Sequence, residues 1–393
     1  MNLSLTAFGV VNALGCGKAE VARRLFAGDR SGLVARDDLI PGATALVGAV
    51  TSALPPIPSA LLPFDCRNNR LMLAALLEIG AAIEAARRRY GAGRIAVILG
   101  TSTSGIAEGE AAFADRLATG TWPEGFRYSQ QEPGNLARFV ASLLALRGPA
   151  YTVHTACSSS GKAFASAARL IEAGFCDAAI VGGADSLCRM TVSGFHTLQA
   201  LSSRPVNPSS LNRDGTNIGE GAAAFLLEPS PGPVALLGVG ESSDAHHVSA
   251  PEPTGRGARA AMAAALAASG LAPEAIGYIN LHGTATPLND LMEGRAVAGL
   301  FDASTPCSST KGMTGHTLGA AAATEAGFLW LALQPEYGQG YLPPHLWDGV
   351  VDPEIPALHL VAPGEKAPRS ARAMLSNSFA FGGSNVSLIL GAP

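Results

Sequence analysis

Short apolar runs alternate along the chain with longer Ala- and Leu-rich segments, and polar or glycine-rich junctions separate them. Runs rich in β-branched and aromatic residues predict strands, whereas apolar residues that recur every three or four positions predict helices. The predicted strands are residues 3–11, 95–99, 151–156, 177–181, 234–240, 276–281, 306–309 and 386–390. The predicted helices are residues 19–26, 72–89, 135–146, 158–174, 258–269, 288–300 and 316–333. Strands joined by helical crossovers predict parallel pairing in a layered α/β sheet, and the Gly- and Pro-rich residues 31–63 predict a long surface excursion.

The junction around Cys157 organises this pattern. A run of β-branched and aromatic residues beginning at Tyr151 breaks at Cys157, and Ser158, Ser159 and Ser160 follow as candidate N-cap residues of a helix. Unpaired N–H groups at a helix N-terminus favour an anion, so this position predicts a lowered thiol pKa and a nucleophilic thiolate. The alternative is a small buried hydrophobic residue, which is the usual state of a free cysteine.

Composition narrows the class of protein. The 393 residues are 48% hydrophobic and 15% charged and include 46 glycines, which is typical of a heavily buried α/β protein. A net charge of −4 gives no reason to expect a nucleic-acid partner. The six cysteines form no C-x-x-C pair, so neither a structural zinc site nor a disulfide framework is predicted. The absence of a signal-like N-terminus and of a membrane-length apolar tract leads us to expect a soluble, cytoplasmic protein.

The second part of the chain repeats a local sequence pattern of the first. The Pro- and Gly-rich stretch 228–233 is the best candidate for a boundary, which gives halves of residues 1–230 and 231–393. Residues 308–323 pass from a strand through a polar junction into an Ala-rich helix, with the same rhythm as residues 155–165. We interpret this as a weak internal duplication.

Further candidate groups lie at other strand ends. His282 and His316 each occur in a glycine-bearing polar context, where an imidazole can donate to an oxyanion or exchange a proton. Asp290 and Glu293 are three apart on one predicted helix, and one of them could pair with Lys311. Near the C-terminus, residues 377–385 place two phenylalanines beside a Gly-Gly loop whose N–H groups could form an oxyanion hole. The alternative is a satisfied surface or core group for each histidine, a solvated pair for the two acids and an ordinary turn for the loop.

Together these stretches resemble a known family. The motifs are Thr155-Ala-Cys-Ser-Ser, His282-Gly-Thr-Ala-Thr, Lys311-Gly-Met-Thr-Gly-His-Thr-Leu-Gly-Ala and Asn377-Ser-Phe-Ala-Phe-Gly-Gly-Ser-Asn. They are similar to the signature elements of β-ketoacyl-[acyl-carrier-protein] synthases of the Cys-His-His class. The likeness extends over nearly the whole chain, in order.

The resemblance implies a thiolase-like fold, with two similar α/β halves in five α-β-α-β-α layers, and a dimer. It implies a decarboxylative condensation of malonyl-acyl-carrier protein with an acyl chain on Cys157, with no metal and no dissociable cofactor. The implied partners are acyl carrier protein, in its acyl and malonyl forms, and a second copy or a homologous subunit; no membrane is implied. His282 and His316 would act on the malonyl group, Lys311 with Glu293 would organise the site, and Phe381 would gate the acyl pocket. The backbone N–H groups of Phe381 and Cys157 would form the oxyanion hole. The implied substrate-binding residues are Thr284, Thr286, Phe379 and Asp290.

Two departures from the family pattern and one rival remain. Ala380 stands where elongating synthases usually have glycine, which restricts φ in the gating loop. The segments 204–214 and 67–70 resemble the corresponding segments of synthases that make polyene or aryl-polyene pigments more than those of synthases that make fatty acids. The rival is a non-catalytic subunit resembling chain-length factors, which generally lack the cysteine.

Overall fold

The computed structural model describes residues 3–368 and 373–392, and its strands follow the apolar runs of the sequence. The strands are β1 (Leu3–Asn12), β2 (Gly15–Cys16), β3 (Leu33–Ile40), β4 (Ala43–Gly48), β5 (Ile95–Gly100), β6 (Ala150–Val153), β7 (Ala178–Asp185), β8 (Gly221–Glu228), β9 (Val234–Ser243), β10 (Ile276–Asn280), β11 (Pro306–Ser308), β12 (His359–Leu360), β13 (Ala373–Ala380) and β14 (Ser384–Gly391). The helices are α1 (Lys18–Phe26), α2 (Arg67–Leu77), α3 (Gly80–Tyr90), α4 (Ile106–Thr119), α5 (Asn135–Leu143), α6 (Ser159–Glu172), α7 (Arg189–Thr197), α8 (Arg256–Ser269), α9 (Pro287–Ala298), α10 (Lys311–Thr314), α11 (Ala321–Leu333) and α12 (Pro335–Gly338).

The strands form two copies of one topology. The first copy has the order β1-β8-β7-β5-β6, and the second has the corresponding order β9-β14-β13-β10-β11. In the first, β5 is parallel to β6 and β7; in the second, β10 is parallel to β11 and β13. The remaining neighbours within each copy are antiparallel, and β1 pairs with β9 to join the two copies. The internal duplication expected from the sequence is therefore present as a repeated topology, in which β6–α6 corresponds to β11–α11.

Two helices lie between the two copies. The central core joins Phe164 of α6 and Phe328 of α11 to Phe8 and Phe225 of the first copy and Val386 of the second. A second core packs α2, α3 and α5 on the outer face of the first copy, and a third packs α8 and α9 on the outer face of the second. The layers are thus helix, sheet, helix, sheet, helix. The five-layer α/β arrangement implied by the resemblance is confirmed.

Several elements differ from the sequence prediction. The helix predicted over 72–89 is two helices, α2 and α3, because the chain leaves helical geometry at Ile79, with φ −112° and ψ 9°. The excursion predicted over 31–63 contains the β3–β4 hairpin. Helices α4 and α7 and strands β8 and β13 were not predicted at all. Strand β8 is rich in Ala and Leu, which are good helix formers, and its place between β1 and β7 decides its conformation.

No helix in the described part of the chain is both long and apolar enough to cross a membrane.

Candidate active site

Cys157 lies between β6 and α6, at the N-terminus of a central helix. Ala156 takes a left-handed φ of 51°, and this turn directs the chain from the strand into the helix. Ser158 occupies the N-cap position of α6, as predicted, but its side chain makes no capping hydrogen bond. Its Oγ donates instead to the carbonyl oxygen of Thr155 at 2.8 Å, and Ser159 Oγ donates to that of Ala156, so these hydroxyls stabilise the turn that carries Cys157.

His316 contacts the cysteine directly. Its Nε2 lies 2.9 Å from the Sγ of Cys157, and the histidine is fully buried. The backbone of this residue is held in place, because the N–H of His316 donates to the carbonyl of Asn217 at 2.6 Å and its carbonyl accepts from Gly219 at 2.8 Å. A short cysteine–imidazole contact of this kind allows the ring to take the thiol proton.

His282 approaches the same point from the second half. It follows β10, and its ring centroid lies 5.3 Å from that of His316, with the ring planes at 83°. The carboxylate of Glu293 accepts the N–H groups of His282 at 2.8 Å and Gly283 at 2.7 Å, which holds this turn in place. One atom each from Cys157, His282 and His316 lie within 4.8 Å of one another, so three residues far apart in sequence meet at one point.

Burial sets the protonation of this cluster. Loss of hydration raises the pKa of the Cys157 thiol to about 11, although the charge of Lys311 and a hydrogen bond from the N–H of Phe381 act in the opposite direction. The pKa values of His282 and His316 lie well below 6.5, chiefly through burial and secondarily through the charge of Lys311. The prediction of a lowered thiol pKa was wrong, because burial outweighs the charge of Lys311 and the N–H of Phe381. At neutral pH the thiol and both imidazoles are neutral.

Lys311 forms a buried ion pair with Glu325, which lies outside the sequence motifs. Its Nζ donates to Glu325 Oε1 at 2.5 Å, and the side chains are 1% and 3% exposed. The predicted pairing of Lys311 with Asp290 or Glu293 is therefore corrected to Glu325. Glu293 supports the site by accepting two N–H groups of the His282 turn instead.

Asp290 lies beneath the cavity wall rather than in it. Its buried carboxylate accepts the N–H of Ser209 at 2.8 Å, the N–H of Ala285 at 3.1 Å and the Nδ2 of Asn289 at 3.1 Å. With these hydrogen bonds made, the side chain supports the loop that carries Thr284 and Thr286. The predicted substrate contact of Asp290 is contradicted.

A cavity of about 240 Å³ leads to the cluster. Its wall includes Thr284 and Thr286, whose hydroxyl oxygens are 2.9 Å apart, together with Phe379 and Phe381. The ring of Phe381 stacks on Phe195 with centroids 5.3 Å apart and planes at 16°. The cavity therefore has a polar side, formed by two threonine hydroxyls, and an aromatic side at the Phe381 loop.

The backbone conformation of the Phe381 loop depends on two glycines and is not strained by Ala380. Gly382 and Gly383 take left-handed φ values of 84° and 73°, which favour glycine. Ala380 ends β13, where it pairs with Ser384 and has no left-handed φ, so alanine fits this position without strain. The N–H of Gly382 donates to the carbonyl of Val248, which ties the loop to the segment after β9.

Sequence reasoning missed three residues that shape the site. Glu325 is a single acid within an otherwise apolar helix, and such a residue must be paired when buried; this signal was present in the sequence. Phe195, on α7, was missed because that helix was not predicted. Asn217 acts through its backbone carbonyl, which no side-chain motif reveals.

Burial of Glu293 predicts a specific pH dependence of stability. Loss of hydration raises its pKa from 4.5 to about 7, against the two N–H donors that favour the carboxylate. Between these pH values the folded chain holds a proton that the unfolded chain has released, so the free energy of unfolding falls as the pH rises. The contribution is at most about 1.4 kcal/mol per pH unit. Urea unfolding at pH 5, 6 and 7 should show a shallower fall for Glu293→Gln than for the wild type; an unchanged slope would contradict the assignment.

Two family profiles match adjacent parts of the chain. The profile "Beta-ketoacyl synthase, N-terminal domain" matches residues 67–231, and "Beta-ketoacyl synthase, C-terminal domain" matches residues 234–346. The 3-oxoacyl-[acyl-carrier-protein] synthase 2 of Synechocystis sp. is 36% identical over 278 residues, which is 65% of each chain. Nodulation protein E of Rhizobium meliloti is 33% identical over 370 residues, which is 88% of each chain. The alignment thus spans just under two thirds of the synthase and most of the nodulation protein.

Solved structures agree with the sequence comparisons. A chain of the ketosynthase (ApeO) in complex with its chain length factor (ApeC) from Xenorhabdus doucetiae is 47% identical, with a TM-score of 0.94. The match covers 100% of this chain and 98% of that one. A chain of the ishigamide ketosynthase/chain length factor is 29% identical with a TM-score of 0.88, covering 100% and 99% of the two chains.

Proposed function

The chain belongs to the β-ketoacyl synthase family, and from this premise we propose that it catalyses a decarboxylative Claisen condensation. An acyl chain held on Cys157 would combine with malonyl-acyl-carrier protein to give β-ketoacyl-acyl-carrier protein and CO₂. The observation that carries the proposal is the 2.9 Å contact between Cys157 Sγ and His316 Nε2, with His282 beside it at the end of the cavity.

The first step is acyl transfer to the cysteine. Sγ attacks the thioester carbonyl while its proton passes to the neutral His316 Nε2, which the short contact allows. Oxygen charge then develops beside the cysteine, where the N–H of Phe381 and that of Cys157 itself are directed. Collapse of the tetrahedral adduct expels the carrier's thiol, which takes the proton. A neutral resting thiol is compatible with this step because the base is already in contact.

The second step is condensation. The malonyl thioester enters along the wall formed by Thr284 and Thr286, and its carbonyl oxygen lies against the imidazoles of His282 and His316. Loss of CO₂ places negative charge on that oxygen, and imidazole N–H groups in a buried site stabilise it, with the hydrogen of His316 moved from Nδ1 to Nε2 after acyl transfer. The resulting carbanion attacks the acyl carbon, and the Cys157 thiolate leaves and takes from solvent the one proton that the overall reaction consumes.

The two histidines should differ in single-turnover experiments. His316 contacts Sγ, so His316→Ala should slow acyl-enzyme formation by about 10²- to 10⁴-fold, the range of a lost general base. His282 accepts no thiol proton in this geometry, so His282→Ala should still acylate but should lose condensation. Rapid-quench intact mass measures acylation and product formation in each variant. Equal loss of acylation in both variants would contradict the division of roles.

The function itself is tested by product formation. The protein is incubated with acyl- and malonyl-acyl-carrier proteins of several chain types, and β-ketoacyl product and CO₂ are measured. Omission of the acyl donor is the control for decarboxylation without condensation. Absence of product with every donor, both alone and with a co-purifying homologous subunit, would refute the proposal.

We further propose acyl carrier protein and a second, homologous subunit as partners. Strand β6 ends the sheet order, and no strand of the described residues covers its outer edge; Tyr151 there is 38% exposed. Such an edge is suited to pairing with another copy of the fold. The likeness to a chain of a ketosynthase–chain length factor complex supports a heterodimer and a polyketide- or polyene-type acyl chain. The free state of all six cysteines supports the cytoplasm as the compartment.

A further inference from the structure

The Cys157 cluster has the donor set of a metal site. Among the described residues, Cys157, His282 and His316 form the one group of three or more His, Cys, Asp or Glu side chains able to share an ion. All three are buried, and the cavity reaches them from one side. The reaction proposed above gives no use to this property, since it needs no metal.

The spacing of the donor atoms is close to that around a small tetrahedral ion. Zinc bonds of about 2.3 Å to sulfur and about 2.0–2.1 Å to nitrogen place tetrahedral ligands about 3.3–3.6 Å apart. Here Sγ and Nε2 of His316 are 2.9 Å apart, and all three donor atoms lie within 4.8 Å of one another. Side-chain rotations that move these atoms by about 1 Å would complete the triangle. The cavity leaves the fourth position for water.

The chemistry of the donors selects the ion. One sulfur and two imidazole nitrogens are the ligands of zinc and other thiophilic divalent cations, whereas Mg²⁺ and Ca²⁺ require oxygen ligands. The nearest positive charge, Lys311, is already paired with Glu325. Within the described structure the Nδ1 atoms of His282 and His316 have no hydrogen-bond acceptor. A ligating histidine normally has such an acceptor, and its loss weakens metal binding by about 10- to 100-fold.

We propose that Cys157, His282 and His316 bind Zn²⁺ reversibly and that the bound ion blocks the cysteine. The thiol proton is released to solvent as a zinc–sulfur bond forms, so the cysteine can no longer attack a thioester. Because the Nδ1 atoms of His282 and His316 have no acceptor in the described structure, a chelator should remove the ion. The site is therefore a reversible inhibitory site and not a permanent structural centre. Binding depends on the geometry of the cluster and not on the condensation proposed above.

Cobalt reports on the site directly. Metal-free full-length protein is titrated with Co²⁺, and one equivalent should give thiolate-to-cobalt charge transfer with the visible bands of tetrahedral cobalt. Zn²⁺ should remove both. Cys157→Ser should abolish the charge-transfer band, and the exposed-cysteine variant Cys16→Ser should retain it. The proposal would be overturned if no charge-transfer band appeared, or if Cys157→Ser gave an equal band. Cobalt bound only by the exposed His246 and His247 would give no such band, so this outcome would also overturn it.

A second measurement uses the unaltered protein and does not depend on turnover. The rate of Cys157 alkylation by iodoacetamide, followed by peptide mass, should fall at least tenfold with equimolar Zn²⁺ and recover with EDTA. Mg²⁺ at the same concentration should leave the rate unchanged. Equal rates with and without Zn²⁺ would overturn the proposal even if condensation activity is found, and protection would support it even if none is found.

Discussion

Cys157→Ala is expected to eliminate acyl-enzyme formation and to lower condensation by on the order of 10⁴-fold or more, as loss of a catalytic nucleophile does. The wild type incubated with acyl carrier protein that holds an acyl thioester should gain the mass of one acyl group, and the variant should gain none. The substitution removes a single buried sulfur atom at the end of the cavity, so the fold should be retained. Circular dichroism and the unfolding midpoint check this point.

The matched control for Cys157 is another cysteine. Cys16 is exposed and is therefore the thiol most open to accidental acylation, whereas Cys307 is buried away from the cavity lining. Cys16→Ala and Cys307→Ala should both keep the acyl adduct. An adduct that persists in Cys157→Ala and disappears in either control would place the nucleophile elsewhere.

The sequence was sufficient for the parts of the fold that local pattern determines. The junction at Cys157 and the two histidines after strand-like runs could be found because each lies where an apolar run stops at polar or glycine residues. Strand β8 shows where this fails. It is wholly buried and rich in Ala and Leu, so it shows no alternation of apolar and polar residues. Its pairing with β1 and β7, which local pattern does not reveal, decides that it is a strand.

The site shows the same limit. Three acids, Asp290, Glu293 and Glu325, were available to Lys311, and only the fold, which brings Lys311 of α10 to Glu325 of α11, selects Glu325. The direction of the Cys157 pKa shift depends on burial, which raises the pKa, and on the Lys311 charge and the N–H of Phe381, which lower it; the extent of burial cannot be measured from a motif. The sequence could therefore name the reacting groups, whereas their partners and protonation states required the three-dimensional structure.

The Lys311–Glu325 pair yields the largest expected effect on stability. Both groups are buried, and Glu325→Leu would leave the ammonium group without a partner, which costs about 3–5 kcal/mol of unfolding free energy. Lys311→Met would similarly leave the Glu325 side chain, whose pKa burial raises to about 7, without its donor. Urea unfolding of the two single variants measures both costs. A loss below about 1 kcal/mol in each would contradict a buried ion pair.

The double variant Lys311→Met/Glu325→Leu separates stability from chemistry. Replacing both charges by apolar side chains removes the desolvation cost together with the attraction, so the double variant should regain most of the stability that each single variant loses. Activity should not return with it. The positive charge of Lys311 opposes the effect of burial on the Cys157 pKa, and its removal should raise that pKa further and slow acyl transfer. A double variant that recovers both stability and acylation rate would show that the pair supports the fold alone.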